Sequence, residues 1–594
     1  MASISILRIQ LRNLARQATA PLLIVSMLGL RLGFSLAGWP GTDSEEGTMG
    51  LMALHIARGQ DWPIFYYGQN YMGAGEAYVA AALFHLFGAS LLSLRLAMLL
   101  FLLLFSLAIY QLAQLLYGRT VALGSLALLA LAPRYVLTPE MRAVGGAVET
   151  LAFGSLAMLL AAWLAVTSTR AEERSSSFRR LMVFWAWGLV AGLALWSHWL
   201  VVPFLVCSLL LLALFCWREW QQGPALLVLV AGLMLGAFPL IRYNLHAPPG
   251  QDSLSIFLAL YNQNHYPGVP PSGLWLWLKK LAGTFLYSLP LATGMTPVCP
   301  LESLPFYGWH PGQSLGCAAL YGGWSCGYLC LFASALILTL RSLARRCSLA
   351  GKTTRESGTA AQAIASARRR LALESSRLLL LLAGAITLLA YTVSLTAAQR
   401  PQSTRYLVGM LIITPALLWP LLCSLRHVEH RTGRLPLSPL SLVRGHAWNE
   451  GVQRWLAGAA LALIFLAFLG GTLANLGQIA GAAQRQQQYV ALAATLERWG
   501  IRHVYSGYWI CDRLTFVSQE KVICAPINQW LTRNELVRYP PYYQEVSADP
   551  WAAYLFSDAQ NGEFPLLSSQ AQTLAARHYR RVNLPGFVLY LRQP

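Results

Sequence analysis

Charge is what this sequence has least of: Asp, Glu, Lys and Arg together make up 11% of 594 residues, against about 25% in ordinary globular chains. With 56% hydrophobic residues and a mean hydropathy of +0.48, that scarcity excludes a soluble globular protein and makes the bilayer the main solvent. Acids are the rarer sign, 24 against 44 Lys and Arg. A net charge of +20 suggests nucleic acid at first sight, but the cations fall in short segments between apolar runs, the pattern of the positive-inside rule, so no nucleic-acid partner is expected. Neither CxxC…CxxC nor HExxH occurs, so no zinc site is indicated. No small-residue cleavage site follows the first apolar run. Arg8, Arg12 and Arg16 therefore mark a retained first transmembrane helix with a cytoplasmic N-terminus rather than a signal peptide.

Apolar runs of spanning length are abundant. Pro21 to Trp39 is the first, and others fall at about 91–110, 121–135, 146–166, 181–198, 200–217, 224–241, 318–340, 378–396, 406–425 and 456–476. The sequence thus predicts a polytopic α-helical membrane protein of about eleven spans, with the Arg-rich loops 341–377 and 426–454 inside and the C-terminus outside. Leu274 to Met295 is apolar but interrupted by Lys279, Lys280 and Pro290. Crossing there would put the Arg-rich loop 341–377 outside, so a membrane-edge or re-entrant segment is expected. The chain divides into a transmembrane module, 1–478, with outer loops at about 39–90 and 242–317, and an extracytoplasmic α/β domain, 479–594. In that domain the pattern predicts helices near 484–499, Tyr508 to Phe516 and Leu567 to Arg577, with strands at His503 to Ser506, Lys521 to Ala525 and Phe587 to Leu591. Cys511 with Cys524, and Cys299 with Cys317, are either disulfides in an oxidising compartment or buried thiols.

The chain is organised around Gly41 to Gly75, which places Asp43, Glu45 and Glu46 directly after the first span. Carboxylates near hydrocarbon are costly and usually face a cavity. Helix capping through Asp43-x-x-Glu46 is one reading, and catalysis by at least one of the three is the other, since three acids exceed what a cap requires. Glu76, Glu140 and Glu149 fall on the same side, Glu149 just after the paired Gly145 and Gly146. Tyr67, Gln69, Asn70 and Tyr71 offer aromatic and amide groups suited to sugars, although interfacial anchoring explains the aromatics equally well. Arg405 is a candidate for a lipid phosphate, with Arg142, Arg242, Lys279 and Lys280 weaker ones; snorkelling is the alternative. His198 is a candidate acid, base or ligand between two spans, and His265 an acceptor contact in an outer loop.

The string Asp43-Ser44-Glu45-Glu46-Gly47 ahead of Gly50-Leu51-Met52-Ala53, the phrase FYYGQNYMGAGEAYVAAALFHLFG, the RAVGGAVETL segment, the RYL motif and YSGYWICDRLTFVSQEKVICAP resemble the GT-C superfamily of polytopic glycosyltransferases. The likeness is greatest to bacterial relatives of protein O-mannosyltransferases and of the lipid A aminoarabinose transferase. It implies an enzyme that takes a sugar from a polyprenyl-phosphate donor at the outer face of the bacterial cytoplasmic membrane and inverts its anomeric centre. An acid of the first loop is the base, Glu45 or Asp43, since Glu45 stands where relatives carry aspartate. Arg405 would hold the phosphate and Glu149 orient donor or acceptor. Such a displacement requires no cofactor, and a divalent metal is left open. The acceptor is a protein, a lipid or a polysaccharide.

A transporter of lipid-linked glycan and a catalytically silent scaffold are the competing classes. Against the transporter, the sequence shows no internal repeat of spans and no charge inside their apolar centres.

Overall fold

The computed structural model describes residues 2–168, 178–262, 273–308, 313–353, 360–426, 450–558 and 562–593; His265 lies outside them. Among these residues eight helices are long and apolar enough to cross a membrane, or up to eleven if each of three bent pairs is one span. The bent pairs are Arg119–Ala130 with Arg134–Met141 (88°), Ala225–Gly236 with Phe238–His246 (65°), and Thr404–Leu411 with Thr414–Leu425 (48°). Each has a proline at its break or in the first turn beyond it, Pro133, Pro239 and Pro415, which cannot donate into the preceding turn but suits the start of a new helix. Three of the expected spans are therefore broken rather than straight.

Two spans meet unusually closely. A Cβ placed on Gly188, Gly192, Gly232 or Gly236 would fall 2.0 to 2.4 Å from a carbonyl oxygen of the facing helix. Phe178–Ser197 and Ala225–Gly236 thus pack backbone to backbone through two small-xxx-small stripes, the packing that replaces a hydrophobic driving force in lipid.

The expectation that spans carry no internal charge needs correction. Arg31 and Arg95 lie in the first two spans, and each is matched: Arg31 Nη2 sits 2.8 Å from Glu140 Oε2, and Arg95 binds Glu46 through two hydrogen bonds of 2.8 and 2.9 Å. Arg180 likewise forks onto Glu219 at 2.5 and 2.7 Å. A guanidinium is tolerated at such depth only when a carboxylate meets its fork.

The segment after Leu274 does not qualify as a span. It is a helix, Leu274–Gly283, a π-turn, Thr284–Ser288, and a short helix, Leu289–Ala292. Lys280 Nζ donates to the Val393 carbonyl at 2.6 Å and Ser288 Oγ to that of Pro401 at 2.8 Å, fixing the segment against the chain that leads into Arg405.

The C-terminal unit begins where the helices Glu450–Leu476 and Ile479–Arg498 join. Its sheet has strands β1 (His503–Ser506), β2 (Ile523–Pro526), β3 (Ala553–Ser557), β4 (Tyr579–Leu584) and β5 (Phe587–Arg592), in the order β2-β1-β3-β5-β4. Strand β1 runs parallel to β2 and β3, while β5 is antiparallel to β3 and β4. Both cysteine pairs, Cys299–Cys317 and Cys511–Cys524, are disulfides. Phe516, Ile523, Tyr542 and Val546 of this unit join the same apolar core as the membrane helices, so the two units share one interior.

Candidate active site

The acidic stretch folds as a short helix, Ser44–Ala57, wedged between the membrane bundle and the outer unit. Asp43 is its N-cap and accepts from the Glu46 amide at 3.1 Å, so the capping reading holds for this residue. Residues Glu46 to Ile56 are all buried, because both sides of the helix are covered. Gly47 and Gly50 allow the contact on one side: a Cβ on Gly47 would lie 2.6 Å from the Arg513 amide nitrogen, and one on Gly50 2.6 Å from the Phe516 ring. Helix Tyr508–Val517 rests directly there. Ser44 Oγ donates to the Tyr508 carbonyl and Thr48 Oγ1 to Asp512 Oδ2 at 2.5 Å, tying the acidic helix to the outer unit.

The three acids then have different partners. Glu46 is fully buried in the fork of Arg95. Asp43 pairs with Arg142 as well as capping the helix. Glu45 meets Arg405, Oε2 to Nη1 at 2.6 Å and Oε1 to Nη2 at 3.4 Å, and this pair stays open, with side chains 18% and 32% exposed. The Tyr66 hydroxyl donates to the Glu45 carbonyl at 3.0 Å. Arg405 also lies over the Tyr406 ring.

A second acidic group stands nearby. Gly145 and Gly146 both adopt positive φ, +82° and +83°, and turn their amides onto carboxylates: Gly145 N to Glu76 Oε2 at 3.0 Å, Gly146 N to Glu149 Oε2 at 2.9 Å. Only glycine fits, since a Cβ at Gly146 would strike the His198 ring at 2.2 Å. Burial, then the neighbouring Glu149, raises the Glu76 carboxyl well above its ordinary range. His198 Nδ1 accepts from the Leu200 amide at 3.1 Å, and burial with the charge of Arg405 pushes the imidazole down to about 4, so it is neutral.

The remaining expected contacts are scattered among different tasks. The Tyr67 hydroxyl donates to Asp61 at 2.7 Å and faces His55 Nδ1 at 2.8 Å, and His55 continues to Glu520 at 2.9 Å. Asn70 donates to the Tyr243 hydroxyl at 2.6 Å. The Gln69 carbonyl, in the orientation that satisfies both ends of the amide, accepts from Arg538 at 3.0 Å. Tyr71 lies within the fields of Arg538, Arg405 and Glu45, its hydroxyl pushed up to about 12 chiefly by burial. Lys279 stands over the Tyr307 ring, away from Glu45. Glu140 is the buried partner of Arg31.

Sequence reasoning passed over Arg95 and Thr48, while Arg538, with Asp512 and Arg513, was expected to line access to the site. An arginine four residues into a span was a usable signal for Arg95. Thr48 gave none, because its partner Asp512 is defined only by the docking of the outer unit.

No family model matches this chain, and no curated protein matches it by sequence. Among solved structures it is similar to ArnT from Cupriavidus metallidurans bound to undecaprenyl phosphate, with a TM-score of 0.53 at 12% identity over 97% of this chain and 99% of that one. The apo state of the same protein gives 0.50 at 12% identity, over 95% and 98%. The archaeal oligosaccharyltransferase AglB from Archaeoglobus fulgidus, in complex with an inhibitory peptide and a dolichol-phosphate, gives 0.44 at 14% identity over 98% and 74%, too low to bear on the fold. The likeness to ArnT is one of fold alone: a polytopic helical bundle followed by a sheet-containing C-terminal domain.

Proposed function

We propose that this chain is an inverting glycosyltransferase that moves a sugar from a polyprenyl-phosphate donor to an envelope acceptor, with Glu45 as its base. The observation that carries the reading is the division of labour among the three acids: Glu46 and Asp43 are committed to Arg95, Arg142 and the helix cap, while Glu45 faces an open arginine. The likeness of fold supports it, since the ArnT structure was solved with undecaprenyl phosphate.

In the resting state Arg405 is paired with Glu45. The donor phosphate competes for that guanidinium, whose planar fork suits phosphate oxygens, and frees the carboxylate. The acceptor hydroxyl then attacks the anomeric carbon from the face opposite the phosphate and gives its proton to Glu45. The bond from the anomeric carbon to phosphate oxygen breaks with its electron pair on the oxygen, and polyprenyl phosphate leaves under Arg405. Glu76 and Glu149, held by the Gly145 and Gly146 amides, orient sugar hydroxyls. The outer unit covers the acidic helix and excludes water from the reacting centre.

The reading puts the chain in the bacterial cytoplasmic membrane with the C-terminal unit outside, which the two disulfides support, since an oxidising compartment would keep them formed. The test is release of polyprenyl phosphate from a panel of polyprenyl-phosphate sugars by purified protein with envelope extract as acceptor. Turnover with one donor, and a raised KM in Arg405→Gln, are expected; no turnover with any donor would overturn the proposal.

A further inference from the structure

A second cavity, of about 350 Å³, opens beside the N-cap of the acidic helix and takes no part in the chemistry above. Asp43 lines one side, Arg134, Thr138 and Arg142 of the bent pair another, and Arg485 and Arg513 the third. Glu563 completes it. Four guanidiniums therefore line the cavity with two carboxylates, and both carboxylates are engaged: Asp43 by Arg142, which also stands 4.0 Å from the buried Glu46, and Glu563 by the Tyr489 hydroxyl at 2.6 Å and by Arg513 at 3.9 Å. Arg134 and Arg485 are exposed and meet no carboxylate among the described residues.

The residues of the wall also carry buried polar atoms with no hydrogen-bond partner, Thr138 Oγ1, Arg142 Nε and Arg513 Nε, of which Arg142 Nε stands 4.0 Å from Glu46 Oε2. Arg513 is 2% exposed. Burial first, then the neighbouring Arg405 and Arg513, lower the affinity of Arg142 for its proton. Both arginine nitrogens can only donate, and the threonine hydroxyl can. Four arginine side chains lining one cavity suit a tetrahedral anion whose oxygens accept from guanidinium forks. The volume is that of a small-ligand pocket rather than of a bare ion, so the anion enters with part of the molecule that bears it.

We propose that this cavity is a phosphate-recognition site, distinct from the Glu45–Arg405 pair, which receives a phosphoryl group carried by one of the protein's ligands. The source is either the phosphate of a polyprenyl lipid or a phosphate on a second, non-prenyl ligand. The site stands whether or not Glu45 is a base.

The test is calorimetric titration of the purified full chain in detergent with pyrophosphate and, separately, farnesyl phosphate. The variants are Arg134→Gln/Arg485→Gln, whose exposed side chains bear no packing, and Arg405→Gln. Wild type is expected to bind pyrophosphate more weakly as salt rises, the double variant to lose roughly tenfold or more, and Arg405→Gln to bind as wild type does. A parallel loss for farnesyl phosphate in the double variant supports the site with the lipid as source. Farnesyl phosphate binding lost in Arg405→Gln but kept in the double variant supports it with a non-prenyl phosphate. Pyrophosphate binding that is absent in wild type, or within twofold between wild type and the double variant, overturns the site.

Discussion

Glu46 and Arg95 are both fully buried and share two hydrogen bonds, so a substitution that removes one partner strands the other charge. Glu46→Leu is expected to cost about 3–5 kcal/mol, read as a lowered melting temperature in detergent. Glu46→Leu with Arg95→Met should recover most of that loss, because an apolar pair leaves no stranded charge. A single variant as stable as wild type would show that the pair has no structural role. The acidic string, Arg405 and Glu149 were legible in the sequence because carboxylates and arginines at membrane boundaries are scarce and costly. The division of tasks among Asp43, Glu45 and Glu46 was not: Arg95 comes from 49 residues away and Arg405 from 360, and no local pattern encodes which acid meets which.

At the scale of the element, the acidic helix and helix Tyr508–Val517 touch through glycine. Gly47→Val places a side chain 2.6 Å from backbone that cannot move without displacing the outer unit. Limited proteolysis is expected to cut the chain after Arg498 in this variant and to spare wild type; equal resistance would refute the contact. The helices of the bundle were readable from apolar runs, and β1, β2 and β5 from short apolar ones bounded by turn residues. Strand β3, helix Pro540–Ala548 and strand β4 were not. β3 is buried throughout, as β2 is, so burial alone does not set it apart, while β4 is a sheet edge whose Arg580 and Arg581 face solvent as charges at an edge commonly do. Each of the three bends has a proline at its break or in the first turn beyond it, yet spans were read as straight because run length alone records no angle.

For the whole molecule, the two units are joined by buried polar contacts, and this makes stability depend on pH. Burial pushes the Asp512 carboxyl up to about 6 from its ordinary 3.8 while it accepts from Thr48. Between about 4 and 6 the folded chain keeps a proton that the unfolded chain has lost, so stability falls as pH rises through this window and levels off above it. Glu520, lowered by His55, Tyr542 and Arg58 despite its burial, acts in the opposite sense, so the informative quantity is a difference. Asp512→Asn should remove part of the fall in melting temperature between pH 4 and pH 6.5 seen in wild type; identical slopes would contradict the burial of a titrating group there.

The central claim is that Glu45 takes the acceptor proton, and single-turnover release of polyprenyl phosphate by Glu45→Gln, beside wild type and Asp43→Asn, tests it most directly. The account predicts a fall of about 10²-fold or more in Glu45→Gln with donor binding retained, and a far smaller fall in Asp43→Asn. Release by Glu45→Gln at the wild-type rate would contradict it.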